Sequence, residues 1–207
     1  MIIHAVIDTN ILVSGMLTSN ETAPTRQILA HIQQGSIVPM TNIAIIEEYT
    51  DVLTRNKFSF DKEAVKNLLE MIGNRSRQYT PTVTHSDFSD IDDAIFYDTY
   101  IMRDDAYLIT GNLKHFPKES RILSPSDMMQ IINLQTNQNN ILSDIECPYM
   151  SERRALIMAR GKEALERIRA NAILNGTADM SMEEINEEIR LYREEKRRKR
   201  NAEEGNL

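Results

Sequence analysis

The first apolar segment constrains the fold most strongly. Residues 2–8 read IIHAVID, and this β-branched run carries no acidic or strongly basic side chain before it ends at Asp8. Such a run predicts a strand that is buried on both faces, which is typical of parallel sheets. Because parallel neighbours cannot be joined by a tight hairpin, the chain must supply helices between its strands.

The following segments meet this requirement. Apolar residues at helical spacing predict helices, and short β-branched runs predict strands between them. The predicted helices cover 22–35, 41–55, 61–74, 89–104 and the end of 121–133, with caps at Thr41 or Asn42 and at Asp61 and helix ends at Gly35 and near Gly73. Further strands are predicted at 36–40, 106–110 and the start of 121–133. The alternation predicts an α/β fold, a parallel sheet with helices on both faces, over residues 1–138.

The C-terminal part differs from this body. The run 133–140 is polar and has no period, which predicts a linker, and we place it at 139–150. Residues 151–207 then form a charged helical extension, with helices over 151–176 and 181–200. Ser181 and Glu184 form a capping box at the start of the second helix. Its apolar stripe is narrow and predicts contact with a partner surface, so we expect a homo-oligomer; the stripe consists of Ile185, Ile189 and Tyr192.

Charge and composition exclude several classes of protein. The net charge is −7, and residues 1–150 carry 11 basic and 19 acidic side chains. An acidic body argues against a simple phosphate-neutralising nucleic-acid binder and is compatible with a divalent-cation site. The one cysteine, Cys147, excludes a disulfide framework within the chain and is read as an inert thiol. No apolar run approaches a membrane span and no signal segment is recognisable, so we expect a cytoplasmic protein without a membrane partner.

Three acidic side chains are expected at one edge of the sheet. Asp8 ends the first strand, and active sites of parallel sheets lie at the carboxyl ends of their strands. Glu48 shares a helix face with Ile45 and Val52, so it points inward, where an unpaired charge is costly. Asp93 leads the apolar stripe of its own helix. Carboxylate oxygens in this number suit Mg²⁺ or Mn²⁺ rather than zinc.

Each of these residues also has an ordinary structural explanation. Asp8 can cap a helix, Glu48 can lie at the rim of the core, and acidic residues such as Asp90 and Asp92 are favoured in a first helical turn. Asp98 is expected to be solvated or salt-bridged. The segment TGN at 110–112 can be a simple turn, with His115 a surface or capping histidine. The three separate carboxylates together favour the metal site.

Four motifs carry a resemblance to a known family. They are VIDTNILVSG (6–15), IIEEYTDVLTR (45–55), DIDDAIFYD (90–98) and YLITGNLKHFP (107–117). In this order and spacing they resemble PIN domains, in the branch of VapC-like toxin components of toxin–antitoxin systems. The resemblance covers roughly residues 1–135.

The resemblance implies a Mg²⁺- or Mn²⁺-dependent endoribonuclease with an RNA substrate. It implies that Asp8, Glu48 and Asp93 are catalytic metal ligands. Asn10 would support Asp8, and Thr110 would help to position water or ligand. Asn112 stands where many PIN domains carry a fourth acid, which puts a second bound metal in doubt.

The extension lies outside this resemblance. Residues 164–189 are similar to the C-terminal segments of small antitoxins, which implies an arm that covers a site in its own chain or in a neighbour. A basic residue such as Arg190 or Arg193 would pair with the acidic site. A dimerisation helix and a solvated charged helix are equal alternatives, and the basic run 193–200 is a candidate for contact with RNA phosphates.

Two other functions remain open from the sequence. A haloacid-dehalogenase-like phosphatase would use Asp8 as nucleophile, but Asn10 stands where that family has a second aspartate, and no suitable lysine is found. A non-catalytic binding or regulatory module on a PIN-like scaffold would be held in a complex through its C-terminal helices. Metal binding through Asp8 would separate this module from the enzyme.

Overall fold

A five-stranded parallel sheet forms the centre of the protein. The computed structural model describes residues 2–82, 88, 91–138 and 152–204. Within these residues the strand order is β3-β2-β1-β4-β5, and all neighbouring strands are parallel. The strands are β1 (Ile3–Ile7), β2 (Ile37–Thr41), β3 (Arg77–Gln78), β4 (Tyr107–Ile109) and β5 (Ile122–Leu123).

Helices connect the strands and pack on both faces of the sheet, as the sequence predicted. The helices of the sheet region are α1 (Thr9–Leu17), α2 (Pro24–Gln34), α3 (Ile43–Leu53), α4 (Lys62–Arg75), α5 (Ile91–Tyr100) and α6 (Pro125–Gln138). A 3₁₀ turn spans Leu113–His115, and two long helices follow, α7 (Glu152–Leu174) and α8 (Met182–Glu204).

The first strand lies in the middle of the sheet, which explains its composition. Ala5 aligns with Pro39 of β2 on one side and with Tyr107 of β4 on the other. Ala5, Val6 and Ile7 are buried. Since both edges and both faces are covered, a charged side chain has no place before the strand ends. The N–H of Asp8 still donates to the carbonyl of Ile109, so the sheet pairing continues up to the first carboxylate.

Several predicted helix ends have the expected chemistry. Gly35 ends α2 with a left-handed backbone, φ 86°, which glycine adopts without strain. Asn42, rather than Thr41, caps α3 by accepting from the N–H of Ile45. Asp61 caps α4. The capping box at the start of α8 is present, because the Ser181 N–H donates to Glu184 and the Glu184 N–H donates to the Ser181 hydroxyl.

Other elements differ from the sequence prediction. Helix α1 begins directly after Asp8 and was not predicted, and β3 was also missed. Helix α4 passes through Gly73 and ends at Arg75. Helix α6 continues to Gln138, so the polar run that begins at residue 133 is helical in its first part. The predicted linker 139–150, Cys147 and Asp90 lie outside the described residues.

The two C-terminal helices pack against the sheet region. Helix α7 packs along α4, and α8 contacts α1 near the carboxyl edge of the sheet. The apolar stripe of α8 is buried against the same chain, so it gives no argument for an oligomer. None of the helices among the described residues has the length and apolar composition that crossing a membrane requires.

Candidate active site

The three predicted carboxylates lie at the carboxyl edge of the sheet, each on a different element. Asp8 is the N-cap of α1, Glu48 belongs to α3, and Asp93 belongs to the first turn of α5. Each is only 3% exposed. Buried carboxylates at this density need partners, because an isolated buried charge is strongly unfavourable.

Neutral hydrogen-bond donors surround Asp8. Its Oδ2 accepts from Asn10 Nδ2 at 2.9 Å and from Thr110 Oγ1 at 2.6 Å. Asn10 Oδ1 accepts from the N–H of Gly111 at 3.1 Å, which ties α1 to the segment after β4. Asn10 and Thr110 therefore support Asp8 in the structure, the arrangement that the resemblance implied for Asn10.

Burial changes the protonation of Asp8. Removal from water raises the pKa of this carboxyl from 3.8 to about 6. The positive charge of Arg193 and the hydrogen bond from Thr110 act in the opposite direction. Burial also raises the pKa of Tyr49, whose hydroxyl donates to the carbonyl of Ile7 just below the site.

An arginine from α8 joins the other two carboxylates. Arg193 donates from Nη2 to Glu48 Oε1 at 2.9 Å and from Nε to Glu48 Oε2 at 3.2 Å. Its Nη1 donates to Asp93 Oδ1 at 2.7 Å. Burial alone would lower the pKa of Arg193, but Glu48 and Asp93 raise it above its usual value, so the guanidinium stays charged. The predicted contact between the tail and the acidic residues is made by Arg193.

The other proposed basic residue, Arg190, has different partners. It pairs with Glu187 and Glu194 on α8 itself and lies at the rim of the cleft. Helix α8 also contributes Asn186, whose Oδ1 accepts from Asn10 at 3.0 Å. Met182, at the beginning of α8, lies against Gly111, where an added Cβ would come within 2.7 Å of the Met182 sulfur. This helix therefore covers the site along its first three turns.

A cleft of about 350 Å³ remains beside Arg193. Its walls come from the carboxylate cluster on one side and from α8 on the other. The lining residues include Asp8, Asn10, Asp93, Asn112, Lys114 and His115.

Asn112 and His115 form a second part of the site. Asn112 Nδ2 lies within 3.0 Å of His115 Nε2, and His115 Nδ1 lies 2.9 Å from Asp93 Oδ2. The N–H of Asn112 donates to Thr110 Oγ1. His115 was expected to be a surface or capping histidine, but it lies beside Asp93 in the structure. One feature of the sequence did indicate that His115 belongs to the site: it lies in the same motif as Thr110 and Asn112.

Two further buried side chains, Thr9 and Asp98, differ from what the sequence suggested. Thr9 Oγ1 donates to Glu48 Oε1 at 2.6 Å, a contact that the sequence did not suggest. Asp98 was expected to be solvated or salt-bridged; it is 4% exposed, so the first of these alternatives is wrong. It does not line the cleft.

The donor set fits a hard divalent cation, but the described conformation places an arginine there. Asp8, Glu48 and Asp93 offer carboxylate oxygens, which Mg²⁺ and Mn²⁺ prefer. Over the described ranges, no three Asp, Glu, His or Cys side chains converge as a metal-binding group. The guanidinium of Arg193 bridges Glu48 and Asp93 instead.

Comparison with known proteins agrees with the geometry. A family model described as PIN domain matches residues 4–114, which include Asp8, Glu48, Asp93 and Asn112. No curated protein and no solved structure gives a significant match. The match covers more than half of the chain, from β1 to the 3₁₀ turn after β4. With its parallel sheet and its carboxylates at the carboxyl edge, this chain belongs to the PIN domain family.

Proposed function

We propose that this chain is a divalent-cation-dependent endoribonuclease of toxin type whose helix α8 holds its own site in an inactive state. The observation that carries the proposal is the placement of Arg193 on Glu48 and Asp93. A cationic side chain from outside the matched family region is paired with two of the three carboxylates that the resemblance implies as metal ligands.

The charges of the cluster support a cation requirement. Three carboxylates face one guanidinium, so the cluster has an excess of formal negative charge once Asp8 is ionised. Phosphodiester substrates are anionic and would be repelled by this cluster. Asp8, Glu48 and Asp93 would hold Mg²⁺ or Mn²⁺. When bound, such an ion neutralises phosphate charge and makes a bound water more acidic.

The polar neighbours of the carboxylates would orient the carboxylates and would not themselves react. Asn10 and Thr110 fix the Asp8 carboxylate through its Oδ2, and Thr9 fixes Glu48. These neutral donors come from α1 and from the segment after β4, so the sheet edge determines the spacing of the carboxylates. Second contacts of this kind set the orientation of metal ligands.

Arg193 and a divalent cation would compete for the same oxygens. With α8 docked, Arg193 Nη1 and Nη2 hold Asp93 Oδ1 and Glu48 Oε1. A cation on these oxygens would lie against the guanidinium, and like charges at this distance repel strongly. Nuclease activity would therefore require α8 to leave, as an antitoxin leaves a toxin. The proposal also includes two partners, an antitoxin from a second chain and a second copy of this chain in a homo-oligomer.

One observation favours a second candidate function. The fourth acidic position of many PIN domains is Asn112 here, and its amide faces His115. A PIN scaffold whose carboxylates are permanently neutralised by Arg193 would be a non-catalytic binding or regulatory module. Mn²⁺ binding after removal of the Arg193 side chain would support the nuclease, and its absence would support the binding module.

The test compares full-length variants. Arg193→Ala should bind Mn²⁺ and cleave RNA, whereas the wild-type protein should be slow. Breaking a buried ion pair costs about 3–5 kcal/mol. If about 3 kcal/mol of this cost falls on docking, the open population and the cleavage rate rise roughly 100-fold, since 1.4 kcal/mol is about a factor of ten. Adding Asp8→Asn should abolish cleavage and weaken Mn²⁺ binding.

Two controls protect this result. Arg198→Ala removes a basic residue of the same helix whose side chain is 82% exposed, and it should behave as wild type. Arg193→Lys keeps the charge but loses the fork geometry, so it should be intermediate. A folded Arg193→Ala protein that binds Mn²⁺ but leaves varied RNAs intact contradicts the nuclease, and one that binds no Mn²⁺ favours the binding module. Deleting both helices is a poorer test, because α7 covers α4.

A further inference from the structure

A second cleft lies where the end of α3 meets α8. It holds about 360 Å³. The wall on the α3 side carries the charged residues Asp51, Arg55 and Lys57, and the α8 wall carries Glu188 and Glu195. Helix α8 therefore presents negative charge to this part of the PIN domain, whereas it presents the positive charge of Arg193 to the carboxylate cluster.

Arg55 makes the closest charged contacts in this cleft. Its Nε lies 2.5 Å from Glu188 Oε1, and its Nη1 and Nη2 donate to the two oxygens of Glu195 at 3.0 and 3.3 Å. The Arg55 side chain is 19% exposed. One guanidinium therefore holds two carboxylates of α8 through all three of its nitrogens.

The two carboxylates on Arg55 resemble a nucleic-acid backbone in chemistry and arrangement. Glu188 and Glu195 are seven residues apart, so they share one face of α8 and are separated by two turns, or about 10.5 Å along the axis. The planar fork of an arginine binds carboxylate and phosphate oxygens in the same bidentate geometry. A site built for one anion of this kind therefore also fits the other.

Arg55 lies within reach of the carboxylate cluster. It follows Glu48 by seven residues at the end of α3, which places it about 10 Å further along that helix. Helix α8 covers both positions, Glu48 with Arg193 and Arg55 with Glu188 and Glu195. A strand bound at Arg55 needs only about three stacked nucleotides of roughly 3.4 Å each to reach Glu48. Helix α8 thus matches the charges of a metal ion at one position and of RNA at the other.

We propose that Arg55 binds a backbone phosphate of the RNA substrate once α8 has left, and that Glu188 and Glu195 occupy this phosphate position while α8 is docked. The inference rests on the proposed nuclease function and names a substrate contact for it. Residues 1–150 carry 11 basic and 19 acidic side chains. RNA binding to such an acidic body requires local positive charge beside the site.

The neighbours of Arg55 contribute charges of both signs. Lys57 adds a positive charge to the same wall of the cleft. Asp51 opposes it and is held by α8, since it accepts from the Tyr192 hydroxyl at 2.7 Å and lies 3.9 Å from Lys196. Departure of α8 uncovers Asp51 together with Arg55. Asp51→Asn should therefore strengthen RNA binding.

RNA binding tests the inference separately from cleavage. The parent is the full-length protein with Arg193→Ala and Asp8→Asn, and the probe is a labelled single-stranded RNA of about 12 nucleotides, followed by fluorescence anisotropy. Adding Arg55→Ala should weaken binding roughly tenfold. It should also reduce the slope of log K against log salt by about 0.7, the value for one phosphate of a single strand. Arg55→Lys should keep the slope and have intermediate affinity, because it keeps the charge without the fork.

A second pair of substitutions separates RNA binding from the docking of α8. Glu188→Gln with Glu195→Gln removes the same ion pairs but leaves Arg55 in place, so this protein should bind RNA at least as tightly as the parent. Equal RNA affinities of the Arg55→Ala protein and the double glutamine protein would mean that Arg55 only holds α8, which overturns the inference.

The matched control removes an arginine far from the cleft. Arg26 binds the carbonyl of Ser19, beyond the end of α1 opposite to Asp8, and its side chain is 22% exposed, close to the value for Arg55. Arg26→Ala should bind RNA within twofold of the parent. An equal loss of RNA affinity in Arg26→Ala and Arg55→Ala would reduce the effect to net charge and overturn the specific contact.

The outcomes distinguish this inference from the nuclease proposal. If Arg193→Ala cleaves RNA but Arg55→Ala leaves both affinity and salt slope unchanged, the phosphate contact is overturned and the nuclease stands. If Arg55→Ala loses affinity and salt slope as expected while Arg193→Ala cleaves no RNA, the phosphate contact stands and the nuclease fails. A parent protein that binds no RNA overturns the contact, and the cleavage assay then decides the nuclease by itself.

Discussion

Helices α7 and α8 have the same length but are held to the sheet region by different interactions. Each spans 23 residues, and neither belongs to the matched family region. Helix α7 is held by apolar packing, whereas α8 combines a narrow apolar stripe with a series of ion pairs. The difference fits the proposal that α8 is a separable cover of the site, whereas α7 packs as part of the fold.

The contact of α7 with α4 depends on small residues. Gly161, Ala164 and Ala172 are buried, together with Leu165 and Ile168. At Gly161 an added Cβ would lie 2.4 Å from the Cβ of Met71, so the two helices touch at this point. Dispersion forces and water exclusion at such a contact depend little on pH or salt.

The contact of α8 depends on charge. Arg193 forms ion pairs with Glu48 and Asp93. Arg55, which lies just after α3, forms ion pairs with Glu188 and Glu195 of α8. Lys196 approaches Asp51, and Arg197 approaches Asp92. Dissolved ions, metals or phosphates can take the place of one partner in a charged contact. They cannot do so in an apolar contact. Under the proposed function, a cation or an RNA would compete for these charged contacts of α8.

The largest expected effect concerns the packing of α7. Gly161→Ala should lower the free energy of unfolding by about 3 kcal/mol, at the upper end of the range for overpacking, because the clash is with a Cβ fixed to the α4 backbone. Urea unfolding measures this. Gly73→Ala is the matched control: nothing lies within 4 Å of its added Cβ, and it should stabilise α4 by about 0.5–1 kcal/mol. Equal effects of the two substitutions would contradict close packing by α7.

The second prediction concerns Asp8 below α8. The folded protein holds a proton on Asp8 up to a pKa of about 6, whereas the unfolded chain releases it near 3.8. This contribution to stability is present below the lower value and is lost as the pH rises through the higher one. Asp8→Asn should therefore gain stability over wild type by roughly 2–3 kcal/mol between pH 4 and 7, in the absence of divalent cations.

Urea unfolding at several pH values, with a chelator present, measures this difference. The Gly161→Ala protein provides the contrast, because its stability deficit should be the same at every pH. A flat difference between Asp8→Asn and wild type would mean that the Asp8 carboxyl is not desolvated as the structure has it.

The sequence predicted those parts of the molecule that repeat a local pattern. The burial of Glu48 followed from its spacing to Ile45 and Val52, and the strand before Asp8 followed from its uncharged run. Helix α1 was missed because eight of its nine residues are buried, so no polar face marks its period. Hydrophobic periodicity in a sequence arises where a helix has one face in the core and one in solvent. A helix that is buried all round has no such periodicity and is therefore not predicted.

Contacts between distant segments were predicted less well. The large apolar residues Leu156 and Ile173 of α7 are 51% and 59% exposed, while the small residues Gly161 and Ala164 lie in the contact. Close approach of helices selects small side chains, which hydrophobicity does not identify. His115 was similarly unmarked, because a single histidine in a loop has no period and its partner Asp93 is 22 residues away.

The smallest expected effect concerns the ion pairs at the edge of α8. Arg55→Ala removes the contacts to Glu188 and Glu195 but leaves Arg193 in place. Docking of α8 should weaken by about 1 kcal/mol, because the Arg55 side chain is 19% exposed and partly screened. Hydrogen exchange in residues 182–204 should then be roughly fivefold faster, since about 1 kcal/mol is a factor of five.

Residues 152–174 should keep their exchange rates in this variant, because α7 does not depend on the same charges. The matched control is Arg167→Ala, which breaks the ion pair of α7 with Asp61, where both side chains are exposed by 40% or more. The free energy of opening that hydrogen exchange reports should change by less than about 0.5 kcal/mol in either helix. Faster exchange of both helices after Arg55→Ala would mean that they leave together. In that case the cover of the site would be the whole C-terminal pair, and α7 would not be a fixed part of the fold.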